Sequence, residues 1–158
     1  MQFKEAVNGD SLSTHTSQKN PIGMEVQDVE GGVWKYMLGV ASLAAGEAVT
    51  YDEDGVTARL AANAKGPVAF LDGAHADPPT ATEYAWFQVV SGPSTTVLAA
   101  ASSADNALAG RETADGSIGD GRAAGDQIYN FITRGASSAA GLISAQFRYP
   151  FVDDAYGS

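Results

Sequence analysis

Ala48-Val49-Thr50-Tyr51-Asp52-Glu53-Asp54-Gly55-Val56-Thr57-Ala58-Arg59-Leu60 decides the fold class. Val49, Thr50 and Tyr51 suit a pleated strand, and Val56 to Leu60 alternates apolar with polar positions, the period of a half-buried strand. Asp54-Gly55 between them is a hairpin signal, because glycine enters positive φ at little cost. The acidic run looks like part of a calcium loop, but the Gly at the sixth position and the bidentate acid at the twelfth are missing in that register. A turn is the expected structure.

Outward from this hairpin the same signals recur every 8 to 15 residues. Strands are expected at 33–40, 67–71, 83–90, 95–100, 127–132 and 142–149, in addition to 48–51 and 56–60. That spacing implies an all-β protein, a small β-barrel or β-sandwich-like domain. Trp34 and Tyr36 share one strand face, as do Tyr84 and Trp86, with Phe87 on the other; their expected use is core packing. Ala44-Ala45-Gly46-Glu47 and Ala123-Ala124-Gly125-Asp126 echo each other, each a glycine turn feeding a strand. A helix is expected at 102–109, capped by Asp105 and rich in Ala. The loop 101–124 is long for a compact domain, so it is expected to pack on a neighbour or to stay mobile.

Residues 1–31 read as an extended N-terminal arm, and 32–158 as the β-rich domain. The arm is polar and turn-rich, with Phe3, Val7, Leu12, Ile22 and Met24 spaced along it. Apolar residues in such a segment are buried most readily against a partner, so these five are the candidate contact residues. Deleting residues 2–24 is therefore expected to abolish partner binding and to leave the domain folded.

The chain has 158 residues, which suits one domain with an arm. It has no Cys, so disulfides, thiolate metal sites and a cysteine nucleophile are excluded. Nine Lys and Arg against nineteen Asp and Glu give a formal charge of −10, the wrong sign for nucleic-acid phosphates. No apolar stretch is long enough to cross about 30 Å of hydrocarbon, and residues 1–10 lack the apolar core of a signal peptide. The expectation is a chain made in the cytoplasm that binds neither membrane nor nucleic acid.

Chemistry-bearing patterns are sparse. His75 with Asp72 and Asp77 is the one arrangement that offers a base or metal ligands, and a solvated loop is the plainer account of it. Gly116-Ser117-Ile118-Gly119-Asp120-Gly121-Arg122 has no following Lys-Ser or Lys-Thr and so is no phosphate cradle. No Gly-x-Ser-x-Gly elbow is present. The expectation is a protein that is not an enzyme and has no cofactor or metal.

The ordered motifs resemble the capsid cement, or head decoration, proteins of tailed bacteriophages. The residues that carry this are Gly46-Glu47-Ala48-Val49-Thr50-Tyr51, Gly66-Pro67-Val68-Ala69, Glu83 to Val89, Thr96 to Ala101, Ala124-Gly125-Asp126-Gln127-Ile128 and Arg148-Tyr149-Pro150-Phe151-Val152. The resemblance covers residues 33–152. It implies a structural virion protein on the outer capsid surface, a homotrimer at threefold or quasi-threefold positions, with the major capsid protein as partner and no catalytic residues. A carbohydrate- or cell-surface-binding β-module using exposed Trp and Tyr is the alternative from a different class.

Overall fold

A computed structural model describes residues 11–112, 114–120 and 127–153. The described chain is all-β, with eleven strands and no helix. In chain order they are β1 (Glu25–Gln27), β2 (Gly32–Leu38), β3 (Ala48–Tyr51), β4 (Thr57–Arg59), β5 (Gly66–Phe70), β6 (Tyr84–Ser91), β7 (Thr95–Ala99), β8 (Gly110–Arg111), β9 (Ile118–Gly119), β10 (Ile128–Thr133) and β11 (Gly141–Val152). Each of the eight strands expected from the sequence coincides with one of these.

The strands form one mixed sheet that folds back on itself into sandwich-like layers. Alternation in β3 and β5 supplies two cores at once. Ala48, Val68 and Phe70 face a first core with Val97, Ile128, Phe131, Ile143 and Phe147 from β7, β10 and β11. Val49, Ala69 and Leu71 face a second core with Met37, Ala85, Phe87 and Val89 from β2 and β6. The opposite face of β2 and β6 carries Trp34, Tyr36 and Trp86, a third cluster.

Gly55 has φ +71° and closes the decisive hairpin, where Tyr51 pairs with Thr57. The Asp52 carboxylate accepts the Asp54 and Val56 N–H groups at 3.0 and 2.9 Å, so the acids are turn residues. Glu47 is nearly buried and holds Arg59 of β4 through two hydrogen bonds of 2.6 and 2.9 Å, while accepting the Ala44 N–H at 3.0 Å. This pair ties the start of β3 to the end of β4.

Two expectations are overturned. No helix forms at 102–109: Ser103 exchanges backbone hydrogen bonds with Ser137, and Asn106 takes φ +56°. The buried Thr133 hydroxyl donates to Ala104 O at 2.7 Å and accepts from Ala107 N–H at 2.8 Å, so β10 satisfies the backbone groups that a helix would have paired internally. The described part of the 101–124 loop carries β8 and β9 and buries Ala109 and Ile118 in the first core, so it packs on its own domain. The second half of the Ala-Ala-Gly echo falls mainly outside the described residues.

At the first half of that echo, Gly46 has φ +84°, and its carbonyl accepts from Leu98 N at 2.8 Å. A Cβ there would sit 2.8 Å from Leu98 N and 3.2 Å from Val97 C. Gly46→Ala is expected to cost about 2 kcal/mol or more and to lower the melting temperature by about 5 °C, as read by calorimetry.

Candidate functional site

Among the five residues expected to contact a partner, Phe3 and Val7 lie outside the described residues. Leu12, Ile22 and Met24 are partly buried against Trp34, Tyr36 and Trp86 of their own domain. From Ser11 onward the segment expected as a free arm is laid on the outer face of β2 and β6. Its backbone bridges Tyr84 through His15, and its β1 pairs with β2. The physical reason is that face itself: Tyr36 and Trp86 are fully buried, and Leu12, Ile22, Met24 and Val26 of the segment pack on them together with Trp34 and Tyr84 of the sheet. Deleting residues 2–24 would therefore strip the cover from two core aromatics.

A hydrogen-bond relay fixes the segment. The Tyr36 hydroxyl accepts from Lys19 N–H at 3.1 Å and is hydrogen-bonded to His15 Nδ1 at 2.9 Å, the imidazole tautomer setting which of the two donates. Burial first, and then the nearby Lys19 charge, hold His15 below the ordinary histidine value.

The two tryptophans considered for a sugar platform are in the core: Trp86 is fully buried and Trp34 is 4% exposed, its Nε1 donating to Asp28 at 2.8 Å. His75 is also buried. Asp72 spends its carboxylate on Ala74 N–H at 2.8 Å and the Thr95 hydroxyl at 3.1 Å, and Asp77 gives its carbonyl to the Thr14 hydroxyl. Among the described residues no three His, Asp or Glu side chains form a group that could hold a metal ion.

Aromatic surface that is partly open lies elsewhere, with Tyr51 and Tyr129 half-buried. The β3–β5 register, carried one step beyond Thr50 and Val68, sets Tyr51 beside Pro67. Pro67 is opposite Phe151 on β11, and Phe151 is opposite Tyr129 on β10. Directly opposed residues share a face, so Tyr51, Pro67, Phe151 and Tyr129 make a row across four strands, roughly 14 Å long at strand spacing. The row continues the face of the second core past the point where β2 and β6 cover it. Phe151 is 43% exposed and Pro67 is also exposed.

A double irregularity beside the row turns these residues outward. Asn130 and Tyr149 both have positive φ, +57° and +46°, and the β10–β11 register shifts between Tyr129 and Phe131. Positive φ is uncommon for a bulky residue. The displaced Tyr149 hydroxyl donates to Glu25 at 3.2 Å. Glu25 also pairs with Lys35 at 3.4 Å, and the Lys35 ammonium sits 5.0 Å above the Tyr51 ring. Burial, followed by the charge of Glu25, holds the Tyr51 hydroxyl above the usual phenol range.

The rings of Tyr129 and Phe151 are 4.9 Å apart and within 14° of parallel. That is too close for rings lying edge to edge in one plane, so their faces are turned toward each other. A sugar platform needs open ring faces; here Tyr129 and Phe151 turn faces toward each other and Lys35 sits over the Tyr51 ring.

No family model matches this chain, and no curated protein or solved structure matches it.

The relay makes a testable statement about pH. His15 in the unfolded chain protonates near pH 6.5, whereas the folded site resists protonation. Its contribution to stability is full above that pH and falls as pH drops through it toward the folded value. Between pH 7.5 and 5.5 the melting temperature should fall more for the native chain than for His15→Gln; equal slopes would remove the histidine from the effect.

Proposed function

We propose that this protein is a non-enzymatic structural component of a virion, a capsid decoration protein that binds the outer surface of a tailed-phage head and stabilises the shell. Assembly as a trimer at threefold or quasi-threefold positions belongs to the same reading. One structural observation supports it most: the domain completes its own cores and still exposes Pro67, Tyr149 and Phe151 close together at the end of β11 and β5, an apolar patch of the kind that meets a partner. The sequence resemblance over residues 33–152 supports the phage assignment, and the acidic balance suits a surface turned away from packaged DNA.

The test is co-sedimentation of the purified chain with undecorated tailed-phage heads. The chain should leave the supernatant with the heads and raise the temperature at which they rupture. The complex should release a species of three times 16.2 kDa. A chain that stays in the supernatant across a panel of such heads, and is monomeric at every concentration, would end this reading.

A further inference from the structure

We infer that a cavity beside the outer face of β2 and β6 binds a primary ammonium group on a short unbranched carbon stem, as a lysine side chain or a free alkylamine carries it. This goes beyond the decoration reading and does not depend on it.

The cavity has a volume of about 280 Å³. Two opposed strand pairs wall it from different layers: Trp34 opposite Gln88 on β2 and β6, and Thr96 opposite Ser144 on β7 and β11. Leu12 of the N-terminal segment and the loop residues Asp28, Glu30 and Asp72 complete the lining used here. Gln88 shows what is needed. It is 4% exposed, and its side-chain Oε1 is buried with no hydrogen-bond partner among the described residues. A buried carbonyl oxygen left unsatisfied is costly, and a donor entering the cavity recovers that cost.

Charge points the same way. Asp28 accepts from the Glu30 and Gly32 N–H groups, both at 2.9 Å, and from Trp34 Nε1 at 2.8 Å. Asp72 accepts from Ala74 N–H at 2.8 Å and from the Thr95 hydroxyl at 3.1 Å. All these donors are neutral, and no described lysine, arginine or histidine lines the cavity. Arg148 shares an adjoining depression with Glu30 but lines no part of this one. The cavity therefore favours a cation.

Size and donor geometry choose among cations. The volume is about nine times the ~30 Å³ share of one water, and among the described residues no three His, Asp or Glu side chains form a group that could hold a metal ion. A guanidinium is best held by a carboxylate edge with both oxygens open. Every carboxylate oxygen of Asp28 and Asp72 already accepts a hydrogen bond. An ammonium is a compact charge with three donors and no acceptor, which suits the remaining lone pairs and Gln88 Oε1. Leu12 offers the carbon stem an apolar contact. A sugar would want an open ring face, and Trp34 is 4% exposed.

The experiment titrates n-butylammonium chloride into the full chain and follows the Gln88 side-chain amide and the Trp34 indole N–H by nuclear magnetic resonance. Comparison probes are n-butanol, calcium chloride and glucose. Butylammonium should shift both signals saturably with a dissociation constant on the order of 1 mM, because five heavy atoms carry little binding energy. Butanol, the same stem without the charge, should not. Gln88→Met removes the orphan oxygen at similar volume; it should weaken binding about tenfold and melt no lower than the native chain. Asp72→Asn keeps an acceptor for Ala74 N–H and should weaken binding several-fold. Glu53→Gln, outside the cavity, should leave binding unchanged.

Nα-acetyl-lysine methylamide separates the two sources. Binding as tight as that of butylammonium assigns the site to a lysine of a protein, and binding by the free amine alone assigns it to a soluble amine; both support the ammonium. No shift with any probe would mean that water satisfies Gln88 and would overturn the inference. Calcium that produces the shift and displaces the amine overturns it, and so does glucose that binds where the amine does not. Amine binding that survives both Gln88→Met and Asp72→Asn also overturns it. If Gln88→Met does not fold, undiminished binding by Asp72→Asn, or butanol binding as tight as butylammonium, overturns it.

Discussion

The fold depends on one strand serving two layers. The twelve residues of β11 pair with β7 over Gly141 to Ala145, with β10 over Ala145 to Val152, with β6 at Arg148 and with β5 at its end. A straight strand cannot lie in both layers, so it must bend, and the left-handed pair Asn130 and Tyr149 is where it does. The bend explains the main surface feature. Strict alternation from Phe147 would send Tyr149 and Phe151 inward, yet Pro150 and Val152 are the buried residues and Tyr149 and Phe151 the exposed ones. Changing partners and exposing the aromatic row are two results of one distortion.

The layers beneath are held by close approach and by few, well-satisfied polar groups. Ala48, Ala69, Ala85, Ala99 and Ala145 are fully buried, which lets backbones come near at those contacts. Glu47 is the main carboxylate taken inside, and Arg59 together with the Ala44 N–H satisfies it. Removing Arg59 would leave that carboxylate without its ion-pair partner; because the guanidinium is part-exposed, the loss is smaller than the about 3–5 kcal/mol of a fully buried pair. The N-terminal segment supplies the last layer, so its polar composition conceals a packing role: Leu12, Ile22 and Met24 meet the three aromatics that alternation places on the outer face of β2 and β6.

How far the sequence could be read follows from these causes. The hairpin at 51–57 and the eight strands were legible because turn residues and alternation are local signals. The aromatic sides of β2 and β6 were legible for the same reason. The strands β8 and β9, two residues each, are too short to leave a period. The 102–109 segment carries a capping Asp and helix-forming Ala, and a threonine some thirty positions away decides against the helix. The aromatic row was hidden most deeply. Its residues, 51, 67, 129 and 151, come from four strands, and one register shift, between Tyr129 and Phe131, with positive φ at Asn130 and Tyr149, inverts the faces that counting would assign on β10 and β11. What a local reading could find was the aromatic content of Arg148 to Val152, without its direction.

Charge and shape together bear on where such a chain assembles. Three chains in a closed ring gather a formal −30, three times −10, within a few Debye lengths. Apolar contact has to outweigh that repulsion, and the exposed apolar residues Val29, Val56, Leu108 and Leu142 are spread along the chain, whereas the row concentrates ring surface in one place. If the exposed end of β11 is spent on a shell, little concentrated apolar surface remains among the described residues for trimer contacts in solution. A shell surface carrying basic residues would then neutralise the carboxylates that keep the chains apart. Trimer formation and docking become thermodynamically linked, each raising the affinity of the other by the same factor. On the proposed reading, a weak or absent trimer in dilute solution is compatible with a tight one on the shell.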